Sequence, residues 1–237
     1  MPEVSIVIPV YNAGNVIKQT VQALMRALDS AAVDYEILLR DDGSRDHSLQ
    51  VLKEVEKFYP RVGISYNHVN AGLGFTLREL FARARGDVVV YCDCDLPFGE
   101  KAVVLLMEKI LQGEDVVVAS RYLGSDHRAS IVRAITSRLY YGLCHLLFRI
   151  LVVDIGSGCV AFRAQGLKNL ELKAFGFDIH AEIFVKAAMA GLSIHEISLP
   201  ARGGRLHTFS ITKHGLATVV RTVQLWKQMV FNPLRKV

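Results

Sequence analysis

Short, continuously apolar runs alternate along the chain with longer stretches in which apolar residues return every three or four positions. The run Val4 to Val10 predicts a strand that stops around Pro9 and Tyr11, and Val16, Ile17, Val21, Leu24 and Leu28 predict a helix over about Ala13 to Leu28. Tyr35 to Leu39 is the next strand, ending at Asp41-Asp42-Gly43-Ser44. A helix follows from about Asp46, then a short strand at Ile64 to Tyr66 and a helix from Gly72 to Ala84. Val88 to Tyr91 is the fourth strand and Val116 to Ala119 the fifth, with a helix from Val103 to Leu111 between them. Strands apolar at every position are buried on both faces, so the expected fold is α/β, a Rossmann-like, mostly parallel central sheet flanked by helices.

After Arg121 the rhythm changes. Ile131 to Val153 is strongly apolar but interrupted by Arg133, Arg138, His145 and Arg149, and predicts an amphipathic helix lying on a surface. Leu216, Val219, Val220, Val223, Trp226 and Val230 repeat at helical spacing near the end, and packing on the sheet is the expectation for most of the apolar face of both segments, with contact to a membrane as the alternative. The expected organisation is one domain over 1–213 followed by a basic amphipathic helix over 214–237. No apolar stretch reaches the length of about 18 residues that a spanning helix needs, and Val4 to Val10 lacks the features of a signal peptide.

Composition adds two constraints. The net charge is +5, and from Ile197 to Val237 there is no Asp or Glu, which fits either an anionic partner such as phosphate, nucleic acid or an acidic bilayer surface, or a solvated basic face. Nucleic acid is not expected, since no aromatic-interleaved basic platform or helix-turn-helix pattern accompanies the charge. Cys92, Cys94, Cys144 and Cys159 lack metal or disulfide spacing and suit small buried side chains in a reducing, cytoplasmic compartment.

The candidate chemistry centres on Asp87-Val-Val-Val-Tyr-Cys-Asp-Cys-Asp95, where a strand ends in Asp93 and Asp95. Two carboxylates there suit a hard cation shared with substrate phosphates. The stretch alone also fits a solvated turn. Its neighbours argue for a site, because Tyr11-Asn12, Asp41-Asp42, Asn70 and Asp93/Asp95 all fall at carboxyl ends of strands, where open α/β sheets collect ligands.

With those residues in hand, the chain resembles a family 2 glycosyltransferase of the GT-A fold, of the polyprenyl-phosphate sugar synthase kind. The similarity runs from Ser5 to about Lys213. It rests on Ile8-Pro-Val-Tyr-Asn12, Glu36 to Asp46, Asn70-Ala-Gly-Leu-Gly74, Ala84-Arg-Gly-Asp87, Asp93-Cys-Asp-Leu96, Ser120-Arg-Tyr122, Asp154-Ile-Gly-Ser-Gly158 and Gly176 to Glu182. The resemblance implies a nucleotide pocket at Pro9, Tyr11, Asn12, Asp41, Asp42 and Asn70. It places Asp93 near the ribose and diphosphate, and Mg²⁺ or Mn²⁺ on Asp95 with Asp93. Arg121 and Arg133, with Ser137, resemble residues that grip an acceptor phosphate, and Asp154 and Glu182 match acidic positions nearby. Arg205 and Lys213 fall in a stretch that covers the donor.

The implied reaction is inverting transfer of a hexose from a nucleoside diphosphate sugar (GDP-mannose or UDP-glucose type) to a polyprenyl or dolichyl phosphate. It implies an enzyme peripheral to the cytoplasmic face of a membrane, contacted directly or through a membrane subunit. A glycan or soluble acceptor, or a non-catalytic sugar-nucleotide-binding protein, are the alternatives. Four departures stand out. Ala13 stands where the family often has Glu, Pro97 where Gln commonly adds a metal ligand, and His207 where Arg is usual. The C-terminal spanning helices of some relatives have no counterpart.

Overall fold

The computed structural model describes residues 1–123, 131–201 and 215–231. Seven strands, β1 (Val4–Val10), β2 (Tyr35–Asp42), β3 (Val62–Asn67), β4 (Val88–Cys92), β5 (Val116–Ser120), β6 (Cys159–Arg163) and β7 (Ile194–Ser198), form one sheet in the order β3-β2-β1-β4-β6-β5-β7. β6 lies antiparallel between β4 and β5, and the remaining pairings are parallel. Six strands therefore end at one rim, and the segment leading into the reversed β6 enters at the same rim.

Strand alternation sorts the apolar side chains into two layers. Ile6, Ile8, Ile37, Leu39 and Val90 face one way, against α1 (Ile17–Ser30), α2 (Ser48–Phe58) and α4 (Glu100–Leu111). Val7, Leu38, Val89, Tyr91 and Phe162 face the other, against α3 (Leu73–Arg83), α5 (Ile131–Phe148), α6 (Ala164–Lys168) and α7 (Ile179–Met189). The final helix, α8 (Leu216–Phe231), lies on α5, where the Tyr140 and Thr222 hydroxyls share a 2.8 Å hydrogen bond. Among the described residues no helix is long and apolar enough to cross a membrane.

The five expected strands and their helices are present, with shifted ends. β2 runs on to Asp42, so both of its carboxylates belong to the strand rather than to the following loop. The helix expected over Ile131 to Val153 stops at Phe148, where Arg149 takes the left-handed backbone (φ 59°). Sequence reasoning missed β6, whose five residues follow an irregular loop, and β7, a half-exposed edge strand with a weak apolar signal.

One motif turns out to be structural. At the end of the sheet away from the rim, Ser5 Oγ donates to Glu36 Oε1 at 2.7 Å, and Arg85 donates to Glu36 through its backbone N–H, Nε and Nη2. Gly86 N–H donates to Ser5 Oγ at 2.8 Å, and a Cβ on Gly86 would stand 2.7 Å from the Ser5 nitrogen. Glu36 and Ala84-Arg-Gly-Asp87 thus splice β1, β2 and the start of β4 together.

Candidate active site

The Asp93–Asp95 pair sits just beyond the end of β4, on a turn rather than on the pleat. Leu96 N–H donates to the Asp93 carbonyl at 3.0 Å and Gly99 N–H to the Leu96 carbonyl at 2.8 Å. This holds Leu96 at φ 45°, an uncommon conformation for a bulky residue. Thr20 of α1 donates to the Cys94 carbonyl at 2.5 Å, fixing the turn from below. Cys94 itself is buried between two half-buried carboxylates. All four cysteines are free and buried, and burial raises each thiol pKa, so they serve as packing.

Asp93 is fixed from two sides. Its N–H donates to the Gly158 carbonyl at 2.8 Å, continuing the β4–β6 ladder by one bond. A Cβ on Gly158 would stand 2.9 Å from Asp93 Cγ and 3.0 Å from Pro97 Cγ, so only glycine lets the carboxylate and the proline ring rest on that backbone. From the helix side, Tyr91 donates to Asp93 Oδ1 at 2.5 Å.

The same entering segment carries the second charged group. Asp154, 1% exposed, accepts from Arg121 Nε at 2.8 Å, Arg121 Nη2 at 2.7 Å and the Arg121 backbone N–H at 3.0 Å. Arg121 Nη2 also donates to the Gly156 carbonyl at 2.9 Å. Burial works against the Arg121 charge, but the Asp154 carboxylate more than compensates and the guanidinium pKa is raised. Arg121 also lies over the Tyr122 ring, whose hydroxyl donates to Ser137 of α5 at 3.0 Å. Glu196 of β7, with no role expected from the sequence, accepts the Val153 and Asp154 N–H groups at 2.9 and 2.8 Å. One short segment, 153–158, therefore links Arg121 to Asp93.

The residues expected to line a nucleotide pocket lie at the neighbouring strand ends. Asn12, at φ 51°, is bridged to the β2 loop: its N–H donates to Ser44 Oγ and its side-chain oxygen accepts from Arg45 N–H, both at 2.8 Å. Pro9 is the penultimate residue of β1 and Tyr11 follows its end, both half-buried. Asp41 is 1% exposed; its Oδ2 accepts Ser44 N–H at 3.0 Å, while its buried Oδ1 has no hydrogen-bond partner. A buried carboxylate oxygen left unsatisfied is costly, and at a ligand rim it suits a donor from a bound molecule. Asp42 behaves differently. Its two oxygens accept from Asn67 Nδ2, Ala71 N–H and Gly72 N–H, and Asn70 Nδ2 donates to its carbonyl at 3.1 Å. Asp42 holds the Asn67–Gly72 loop in place.

Glu182 also has a loop to hold. It is 2% exposed, accepts from the Lys173 and Ala174 N–H groups, and pairs with Lys186 Nζ at 2.8 Å. The 173–175 loop in turn caps α3, since Phe175 O accepts from Gly74 N–H at 2.9 Å. A Cβ on Gly74 would stand 2.5 Å from the Ala174 carbonyl oxygen. The Asn70–Gly74 and Gly176–Glu182 motifs are thus two halves of one contact.

Arg133 lies in α5, but its side chain is outside the described residues, as are Arg205, His207 and Lys213. Two further residues, Tyr91 and His180, have no role expected from the sequence: one is a β-former within a strand and the other lies inside the Gly176–Glu182 motif. Burial lowers the His180 pKa to about 4, partly offset by the Asp154 carboxylate, so the ring is neutral near pH 7. Among the described residues no cluster of three or more His, Cys, Asp or Glu could enclose a metal by itself. Two carboxylates with an incoming diphosphate remain the donor set on offer, an arrangement suited to Mg²⁺ or Mn²⁺.

The chain is 30% identical over 190 residues to a dolichol-phosphate mannosyltransferase of Pyrococcus furiosus, covering 78% of this chain and 53% of that protein. It is 26% identical over 238 residues to the glycosyltransferase AglD of Haloferax volcanii, covering 98% of this chain and 38% of that protein. It therefore spans about half the length, or less, of these relatives. In three dimensions it matches mannosyl-3-phosphoglycerate synthase from Rubrobacter xylanophilus (TM-score 0.76, 18% identity, covering 100% of this chain and 77% of that one). It likewise matches glucosyl-3-phosphoglycerate synthase from Mycobacterium tuberculosis, crystallised with Mn²⁺, UDP-glucose and phosphoglyceric acid (TM-score 0.73, 20% identity, covering 96% and 79%). These likenesses establish the GT-A fold. Residues 5–170 match the model of glycosyl transferase family 2, and the chain belongs to that family.

Proposed function

We propose that this protein transfers a hexose from a nucleoside diphosphate sugar to a polyprenyl phosphate, with inversion at the anomeric carbon. One observation carries the reading: the 153–158 segment sets a carboxylate turn and a carboxylate-backed arginine side by side at one rim. The relatives named for dolichol-phosphate and undecaprenyl-phosphate transfer support the acceptor class.

Asp93 and Asp95 would hold the divalent cation together with the donor's diphosphate, and the cation would supply charge stabilisation to the departing nucleoside diphosphate. Asp41 offers an unsatisfied oxygen to the nucleotide, with Pro9, Tyr11 and Asn12 beside it and Asp42 and Asn70 shaping the wall. Arg121, with Arg133 and Ser137, receives the acceptor phosphate; a guanidinium whose fork is already partly fixed loses little freedom when an anion arrives. A phosphate acceptor is anionic at neutral pH, so positioning contributes more than a strong general base. Arg205 and Lys213 are assigned to donor cover through the resemblance alone.

Membrane contact fits the outer face of α5 and α8. Ile135, Leu139 and Leu146 are more than half exposed along α5, as is Leu216 on α8, with exposed Arg138 and Lys227 among them. An apolar face rimmed with cations suits the surface of an acidic bilayer at the cytoplasmic side. A membrane subunit would use the same face.

The test is direct transfer. Protein, Mn²⁺ or Mg²⁺, undecaprenyl or dolichyl phosphate and labelled UDP- and GDP-sugars are incubated, and label is sought in the organic phase. Organic-phase label that Arg133→Ala abolishes, with donor binding retained, is the expected result. Label only in water-soluble product transfers the reading to a soluble acceptor, and binding without turnover supports a non-catalytic protein.

A further inference from the structure

Two polar side chains lie in the largely apolar layer beneath Asp93. Tyr91 is 1% exposed and His180 8% exposed, packed with Val7, Val89 and residues of α7. A Phe at position 91 would bury the same ring without the hydroxyl, and a buried hydroxyl is costly unless it is hydrogen-bonded. The hydroxyl meets two groups. It donates to Asp93 Oδ1 at 2.5 Å, and His180 Nε2 lies 3.4 Å from its oxygen. A phenol has one proton, so with that proton on Asp93 its oxygen accepts, and His180 faces it as the Nε2–H tautomer. The two rings lie 5.8 Å apart at 29°, which leaves the phenol little room to swing away. The opposite side of Asp93 rests on Gly158.

We propose that Tyr91, oriented by His180, is a positioning residue for the donor's cation. It locks the Asp93 carboxylate into one orientation before any ligand arrives, so that cation and diphosphate meet a preset turn rather than one they must order. The inference rests on reading Asp93 and Asp95 as the cation carboxylates. Outer-shell partners of this kind commonly account for about 10–100-fold in metal affinity.

The experiment measures UDP and GDP affinity by calorimetry, once with Mn²⁺ and once with EDTA, and takes the ratio as the cation's gain. Tyr91→Phe is expected to cut that gain by about 10-fold or more while leaving affinity in EDTA close to wild type, with a modest fall in melting temperature because the buried His180 N–H loses its acceptor. In an Asp93→Asn background, Tyr91→Phe should add nothing, because its route runs through Asp93. His180→Gln keeps an N–H donor and should retain most of the gain, whereas His180→Leu should lose part of it. A Tyr91→Phe protein with the full gain, or one that weakens binding equally in the Asp93→Asn background, overturns the proposal; a full gain in His180→Leu overturns the part given to His180. Wild-type protein whose nucleotide affinity ignores Mn²⁺ overturns the donor-site reading, and this one with it.

Discussion

The Asp154 carboxylate accepts from Arg121 three times, twice from the guanidinium and once from the backbone N–H. With Asp154 buried and the Arg121 side chain 17% exposed, neither charge is well solvated without the other. Asp154→Ala should therefore cost about 3–5 kcal/mol of stability, the usual result of breaking a buried pair. Asp154→Asn should keep the shape, raise the KM for acceptor and leave donor affinity unchanged. Urea unfolding and separate donor and acceptor titrations check both.

Asp41 and Asp42 are adjacent in sequence and should part company in experiment. Asp41→Asn keeps an oxygen for Ser44 N–H and removes a charge that no protein donor uses at Oδ1. It should change stability by less than about 1 kcal/mol and weaken nucleotide binding by about 10-fold or more, the scale of a charged hydrogen bond. Asp42→Ala leaves the Ala71 and Gly72 N–H groups without their acceptor and should destabilise by about 3 kcal/mol. Equal effects of the two on stability would contradict the division.

How far the sequence leads is visible in these same residues. Continuous apolar runs revealed β1, β2, β4 and β5, and with them the rim, because burial on both faces leaves a plain signal. β6 stayed hidden: five residues carry little periodicity, and its antiparallel place between β4 and β5 depends on long-range pairing. Asp41 and Asp42 read alike because their difference lies in partners 25 or more positions along the chain for Asp42, and three for Asp41. Glu196 and Tyr91 show the same limit. Each acts on a neighbour across the fold or two positions along the chain, and residue type alone does not disclose that.

Gly158→Ala inserts a methyl group where the Asp93 carboxylate and the Pro97 ring already lie. One side must move, and Asp93 is the group with a function to lose. The expected outcome is loss of Mn²⁺-dependent nucleotide binding with a smaller fall in melting temperature. Unchanged binding would show that the carboxylate is free to relocate.

Glu36 makes a prediction about pH. Burial works against its charge, but hydrogen bonds from Arg85 and Ser5 outweigh it, so its folded pKa lies below the ordinary value of 4.5. A depressed carboxylate pKa contributes stability that is present above the unfolded value and lost as pH falls through the folded one. Glu36→Gln should therefore lower the melting temperature at pH 7, and the gap to wild type should narrow as pH falls below about 4. A gap that stays constant down to acid pH would contradict the assignment.

The most direct test is a crystal structure of the protein with Mn²⁺ and the UDP or GDP that binds it. The account predicts the diphosphate outside the carboxyl ends of β1 and β4, with the cation between it and Asp95 and the base toward Asp41. A diphosphate bound away from that rim, or a cation that leaves Asp95 untouched, would contradict it.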